Sequence, residues 1–325
     1  MSEPIRWGIL GARSSIFVRS LEPPMLAGDR HEIVARASRA PDGGDAPYVD
    51  LLARDDVEAV YIPLPNGLHK VWVERALAAG KHVLCEKPLG MDEAEVTAMF
   101  AAAETAGRVL AEAYAPPYHP ATQLVEQLVT DGELGELLFA HHVFNYFHSS
   151  PDTDHRYDPV LGNGSLLDLG CYVIGPLLAL ASAEPARVEA VARYSPARLD
   201  RGPVETSLSG WFDFGRFRAT IESSMEAPQR RIQELAGTGG TLRRVRAWFP
   251  APEDTAIEVA RPDDSVEVFE HRSANAYREM IDEFAAVVRD GAPLRFGRAE
   301  SVRLARTLDH VLVAAERNRA DSVSA

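Results

Sequence analysis

The sequence predicts an α/β protein in two parts. A parallel sheet wrapped by helices is expected over residues 1–115, and an α+β domain with a large open antiparallel sheet over 116–325. Three observations carry this. The chain has 325 residues, roughly twice the commonest length of a single domain. As far as Ala113, short apolar runs alternate with helical patterns, the arrangement that builds a parallel sheet. Beyond Pro120 the texture changes to closely spaced strand-like segments joined by Gly or Asp turns, which suits antiparallel pairing.

In chain order, Ile5–Leu10 reads as the first strand and ends at Gly11. Ile33–Ala37, Val57–Ile62, Lys81–Cys85 and Val109–Ala113 read as the other four. His69–Ala79 and Asp92–Thr105 carry apolar residues at helical spacing, and Gly80 and Gly107 stop them. A helix at Ala121–Thr130 then leads to a strand at Leu137–Phe147, and a second helix covers Leu166–Leu180. The strands that follow are Arg187–Tyr194, Glu205–Phe214, Arg216–Met225, Arg231–Gly237, Thr241–Trp248, Ile257–Ala260 and Val266–His271. Two amphipathic helices, Ala276–Arg289 and Ala299–Arg317, close the chain.

Composition narrows the function. Hydrophobic residues make up 46% and charged residues 25%, a globular balance. Acidic residues exceed basic ones by 48 − 34 = 14, a net charge of −14 that offers a phosphate backbone nothing to hold, so no nucleic-acid partner is expected. No run approaches the eighteen or so apolar residues of a membrane span. Residues 1–10 enter a strand pattern without the layout of a secretory signal, and Cys85 and Cys171 form no C-x-x-C pair. A cytoplasmic setting is the expectation.

Four groups of residues carry chemistry. Gly8-Ile-Leu-Gly11-Ala-Arg13 follows the first strand, where a dinucleotide-binding, Rossmann-like fold needs a tight glycine turn to bring backbone N–H groups to a pyrophosphate. An ordinary turn would also place glycine there. Ser38-Arg39 stands past the second strand at about the spacing where the cofactor ribose is met, and an arginine with a hydroxyl neighbour suits a 2′-phosphate, favouring NADP with NAD possible. A solvated turn arginine is the plain alternative. Pro65-Asn66-x-x-His69 and Glu86-Lys87-Pro88 end the third and fourth strands, on the rim where open α/β sheets bind ligands. His141, His142, His148, Asp152, Asp154 and His155 are dense but match no zinc spacing, and adjacent strand residues face opposite ways, so no metal is expected.

The Glu86-Lys87-Pro88 run, with Pro65-Asn66-x-x-His69 upstream, resembles the glucose–fructose oxidoreductase/inositol dehydrogenase (Gfo/Idh/MocA) family. The resemblance continues through Arg156-Tyr-Asp-Pro159, Leu161-Gly-Asn-Gly164 and Leu167-Asp168-Leu-Gly170-Cys-Tyr172, and covers nearly the whole chain. It implies that Lys87 and Asp168 line an active site. Tyr172 stands where the family often has histidine, as in the dihydrodiol dehydrogenase-like branch, which implies tyrosine as acid/base. A free phenol has a pKa of about 10, and a nearby ammonium brings it toward the working range; Lys87 would take that part. Asp168 would orient a substrate hydroxyl, with Tyr118 and Arg156 as further substrate-side contacts. Residue by residue the plain alternatives are a dipole-favoured helix charge for Asp168, a core tyrosine for Tyr172 and a structural ion pair for Arg156.

Three departures from the family pattern bear on activity. Arg13 replaces a glycine. Residues 38–56 have room for one short helix near Tyr48–Ala53 but not for helix, strand and helix, because a parallel crossover takes roughly a dozen residues. One helix–strand unit of the first sheet is therefore expected to be missing. Ala115-Pro-Pro-Tyr118-His119-Pro120 lacks an arginine that the family often carries there. The expected activity is an NADP-dependent oxidoreductase acting on a small polyol, sugar, ketosugar or cyclic diol. The alternative is a family member with a lost or weakened cofactor site, acting as a ligand-binding protein or redox-neutral acid/base enzyme. An apolar open sheet face predicts a homodimer.

Overall fold

The computed structural model describes residues 3–149, 153–195, 202–249 and 255–323. The chain divides into two compact units, Met1–Tyr118 with Asn275–Val302, and His119–Ala274 with Arg303–Ala325. A linear division at 115/116 omits the return of 275–302 to the first unit.

The first unit is built on strands β1 (Ile5–Leu10), β2 (His31–Ala37), β3 (Ala59–Ile62), β4 (His82–Glu86) and β5 (Leu110–Ala113). Helices α1 (Glu22–Leu26), α2 (Ala46–Leu52), α3 (His69–Ala78) and α4 (Glu93–Ala106) alternate with them. The sheet order is β2-β1-β3-β4-β5, all parallel. Only α2 lies between β2 and β3, so β2 is the sheet edge and the expected loss of one helix–strand unit is met. Helix α4 starts where the Asp92 side chain accepts the Glu95 N–H at 2.8 Å and stops at Gly107, whose φ is 61°. A π-helical turn, Phe17–Leu21, and α1 after Gly11 were not foreseen; a π turn breaks the 3.6-residue period, and Pro23-Pro24 obscures the rest.

Trp7 in β1 is fully buried against Phe284, ring centroids 5.1 Å apart. Its indole N–H donates to His31 Nδ1 at 3.2 Å. An indole only donates, so Nδ1 accepts, Nε2 carries the proton, and Nε2 donates to Asp282 at 3.0 Å. Burial keeps His31 below its ordinary pKa, in step with that neutral tautomer. This chain of contacts brings the helix Ala276–Asp290 onto the first unit.

The second unit contains α5 (Pro120–Thr130), β6 (Leu137–Asn145), α6 (Cys171–Ala181), β7 (Arg187–Tyr194), β8 (Glu205–Asp213), β9 (Arg218–Ser224), β10 (Arg230–Gly237), β11 (Gly240–Val245), β12 (Ala256–Ala260) and β13 (Val266–Glu270). The chain ends in α7 (Ala276–Asp290) and α8 (Arg298–Val323). Eight strands form one sheet in the order β13-β12-β11-β10-β6-β9-β8-β7. It is mixed rather than wholly antiparallel: β6 and β9 pair in parallel, because the chain leaves β6, crosses over through α6 and refills the sheet from its β7 edge. His142 is buried on the α6 side and donates from Nδ1 to the Val173 carbonyl at 2.8 Å, while His141 turns away to Thr220. Among the described residues, no helix is long and apolar enough to cross a membrane.

A π-helical turn, Leu166–Gly170, runs directly into α6, so the helix expected from Leu166 is not plain α-helix at its start. Just before it Gly164 has φ 93°, and a Cβ there would lie 2.3 Å from the Glu205 carbonyl oxygen. Gly164→Ala is expected to cost about 3 kcal/mol from backbone strain and overpacking together. Urea unfolding of the variant measures it, and a loss under about 1 kcal/mol would mean that the turn relaxes.

Candidate active site

In the first unit the expected nucleotide-side residues gather at the carboxyl ends of β1 to β4. Gly11 takes φ 106°, and a Cβ there would stand 3.0 Å from Leu64 Cδ2 and 3.2 Å from the Pro63 carbonyl, a cradle only glycine leaves open. The N–H groups of Gly11 and Ala12 both donate to the Ala37 carbonyl at 2.9 Å. That fastens the β1 turn to the end of β2, with Ser38 half-buried and Arg39 exposed immediately beyond. Arg13 is exposed, which keeps its bulk out of the core behind the turn.

Pro65 precedes the short turn Asn66–Leu68, which enters α3 at His69. His69 is fully buried, with Nδ1 2.9 Å from the Pro88 carbonyl and Nε2 2.8 Å from the Leu64 carbonyl. Burial pushes its pKa down to about 4 against the pull of those carbonyls, leaving a neutral ring. A neutral ring has one N–H, so it donates to one of those two carbonyls and only packs against the other. Glu86 accepts the Tyr61 hydroxyl at 2.5 Å and the Lys87 N–H at 3.2 Å. Glu112 of β5 accepts the Leu89 N–H at 3.1 Å; burial raises its pKa to about 7, although the Lys87 ammonium pulls the other way. Tyr118, expected at the substrate, is buried and donates its hydroxyl to Glu283.

In the second unit Asp168 lies in the π-helical turn and Tyr172 in the first turn of α6. Arg156 donates from Nε to Asp168 Oδ2 at 2.7 Å and from Nη1 to Asp154 Oδ1 at 3.2 Å. The Asp168 charge is the main cause that holds the guanidinium pKa above even its usual value. Tyr172 is 5% exposed, its ring framed by Phe144 at 5.4 Å and Phe249 at 5.2 Å. Glu205, at the start of β8, caps the π turn: it accepts the Ser165 hydroxyl at 2.5 Å and the Leu166 N–H at 2.8 Å. Burial lifts its pKa to about 7 despite those donors. Among the described residues no group of three His, Cys, Asp or Glu side chains is placed to hold a metal, and Asp152 lies outside them.

Sequence reasoning did not single out Glu205 or Glu112. Each occupies one position in an otherwise ordinary strand pattern, and nothing local distinguishes a buried carboxylate there from a solvated one.

The comparisons with known proteins agree with this geometry. Residues 5–114 match a family model described as an oxidoreductase family with an NAD-binding Rossmann fold, and residues 122–243 match the GFO/IDH/MocA C-terminal domain. The chain is 35% identical over 323 residues to a D-xylose 1-dehydrogenase (NADP(+)) 2 of Haloferax volcanii, covering 95% of this chain and 97% of that one. It is 29% identical to the trans-1,2-dihydrobenzene-1,2-diol dehydrogenase of Mus musculus over 76% of both chains. A crystal structure of a 3-ketoreductase from Actinomadura kijaniata with NADP and TDP-benzene superposes with a TM-score of 0.88 at 31% identity, covering 96% of this chain and 98% of that chain.

The Glu205 cap has a pH signature. Its carboxyl binds a proton more tightly folded, at about 7, than at the ordinary 4.5, so the folded state holds more protons between those values and stability falls as pH rises through them. Glu205→Gln should reduce that slope, leaving the share due to Glu112. Glu205→Ala should cost about 1–3 kcal/mol by orphaning the buried Leu166 N–H, since the Ser165 hydroxyl still has the Ser223 carbonyl at 3.2 Å. Urea midpoints taken across that pH range check both, and an unchanged slope in Glu205→Gln would assign the proton elsewhere.

Proposed function

The chain belongs to the GFO/IDH/MocA oxidoreductase family, and on that premise we propose that it is an NADP-dependent enzyme acting on a sugar, ketosugar or cyclic diol. The observation that carries the cofactor half of this reading is the fastening of the Gly11 turn to Ala37, which sets Ser38 and the exposed Arg39 beside a glycine-only cradle. Three relatives support it by name: the Haloferax enzyme is an NADP(+) dehydrogenase of D-xylose, the Actinomadura reductase was crystallised with NADP, and the mouse enzyme acts on a cyclic diol.

When bound, the nicotinamide supplies the carbon that gives or takes the hydride. The chain's own residues manage the proton and the substrate. Tyr172 gives a proton to the carbonyl oxygen in reduction and removes one from the hydroxyl in oxidation. Lys87 is the cation assigned to lower the phenol pKa from about 10 toward neutrality. Asp168, oriented by Arg156, accepts a hydrogen bond from a substrate hydroxyl. Pro65, Asn66, His69 and Glu86 shape the loops that receive the nucleotide.

The test is a thermal-shift titration with NADPH and NADH followed by turnover on a panel of sugars, ketosugars and diols. NADPH should stabilise more than NADH, and Arg39→Ala should weaken NADPH about tenfold with little effect on NADH. Lys87→Ala and Tyr172→Phe should each lower kcat by about 10²–10⁴ without lowering Tm. No stabilisation by either nucleotide at millimolar concentration would favour the redox-neutral alternative, in which Lys87 and Tyr172 work without a cofactor.

The homodimer belongs to the same proposal. Phe139 and Val191 stand on the outer face of the eight-stranded sheet, 54% and 60% exposed, and a second copy laid on that face would cover both. Sedimentation velocity should give a dimer, and Phe139→Glu should give a monomer. A wild-type monomer at micromolar concentration removes this part.

A further inference from the structure

We propose that His148 is a positioning residue whose imidazolium brackets the Asp154 and Asp168 carboxylates and thereby holds Asp168 ready for a substrate hydroxyl. This rests on the reading of Asp168 as that acceptor.

The argument is geometric. His148 follows β6, and its backbone N–H donates to the Met225 carbonyl at 3.0 Å, which anchors it to the sheet. Its Nδ1 lies 3.4 Å from Asp154 Oδ2, and its Nε2 lies 3.7 Å from Asp168 Oδ2. Arg156 spans the same two carboxylates from the other side, at 3.2 Å and 2.7 Å. The four side chains thus close a ring in which positive and negative groups alternate. A neutral imidazole has one N–H and one lone pair. Whichever tautomer it adopted, one carboxylate would face a lone pair, so only the charged ring suits both neighbours.

Charge counting agrees. With His148 protonated, two carboxylates meet two cations and the ring is neutral; without that proton it carries one net negative charge. His155 does not supply the missing charge, because burial and the Arg156 charge keep its pKa below the ordinary value. Tyr146 meets the His148 ring edge to face at 4.9 Å. Burial opposes the charged form of His148, but the two carboxylates outweigh burial and Arg156, and its pKa is raised. Burial likewise opposes the charge on Asp154, yet His148 and the Arg156 N–H hold that carboxyl well below the usual range.

The contact to Asp168 is the weaker arm. At 3.7 Å it is an ion pair without a hydrogen bond, and Nε2 is buried with no hydrogen-bond partner among the described residues. Loss of the proton therefore weakens this arm first. Asp168 then loses the cation on one side of the ring while Arg156 stays on the other, and the ring gains a negative charge where the substrate hydroxyl must bind.

The experiment follows the imidazole directly. NMR titration of the full-length protein should place the His148 pKa above the ordinary 6.5 or so, and Asp154→Asn and Asp168→Asn should each bring it down. A wild-type His148 that titrates at or below that value overturns the proposal without touching the reading of Asp168. On the panel sugar turned over fastest, KM should rise about tenfold between pH 6 and 9 or so, while kcat follows the Tyr172 phenol alike in wild type and His148→Lys. His148→Gln should show the high KM throughout. His148→Lys, which keeps a cation at every such pH, should keep KM low and abolish the rise. Wild-type KM values in His148→Gln overturn the bracket, whereas an Asp168→Asn enzyme with unchanged KM overturns the underlying reading instead.

Discussion

The contact on which the candidate residues of the second unit depend is the hydrogen-bonded ion pair between Arg156 and Asp168, 2.7 Å from nitrogen to oxygen. Asp168 sits in a π-helical turn against the sheet, where an uncompensated carboxylate would be costly. A guanidinium is suited to the task because its fork reaches Asp154 as well, so one cation orders two anions. The turn itself is held from below by Glu205, and Gly164 lets the chain pass close to the Glu205 backbone. Through Glu205 the start of β8 is hydrogen-bonded to the first residue of the turn that carries Asp168.

The first unit follows a different logic. Parallel strands end together at one rim, and the loops beyond them must be pinned without a hairpin. Two buried contacts do the pinning. The Ala37 carbonyl takes both N–H groups of the Gly11 turn, and buried His69 sits between the Leu64 and Pro88 carbonyls and donates its one N–H to one of them. Burial keeps His69 neutral, so this link is uncharged and leaves the Lys87 ammonium as the local cation facing Glu112.

Much of the fold was legible in the sequence because its periodicity is strong. The five strands of the first sheet, the eight of the second and the four long helices α3, α4, α5 and α7 lie within a few residues of where apolar spacing puts them. The missing helix–strand unit could be read from the shortness of residues 38–56 alone. The π turns could not, since their spacing matches neither helix nor strand. The parallel β6–β9 pair was also hidden, because strand direction depends on which edge the crossover reaches and not on local pattern. For the site, Gly11, Lys87, Asp168 and Tyr172 announce themselves through motifs. The carboxylates Glu112 and Glu205 do not, and Tyr118 draws notice only through its place in the 115–120 run. A side chain's partner is a tertiary fact, and Glu283 stands 165 positions along the chain from Tyr118.

The return of 275–302 to the first unit bears on how the protein is made. As the polypeptide leaves the ribosome, the five parallel strands emerge long before the helix that packs on Trp7 and bonds His31. Until residues 276–290 have been made, an indole face and half a hydrogen-bond chain stay uncovered. The nascent nucleotide-side module is therefore an incomplete core awaiting its last helix, and a fragment cut after Tyr118 would inherit that same bare surface.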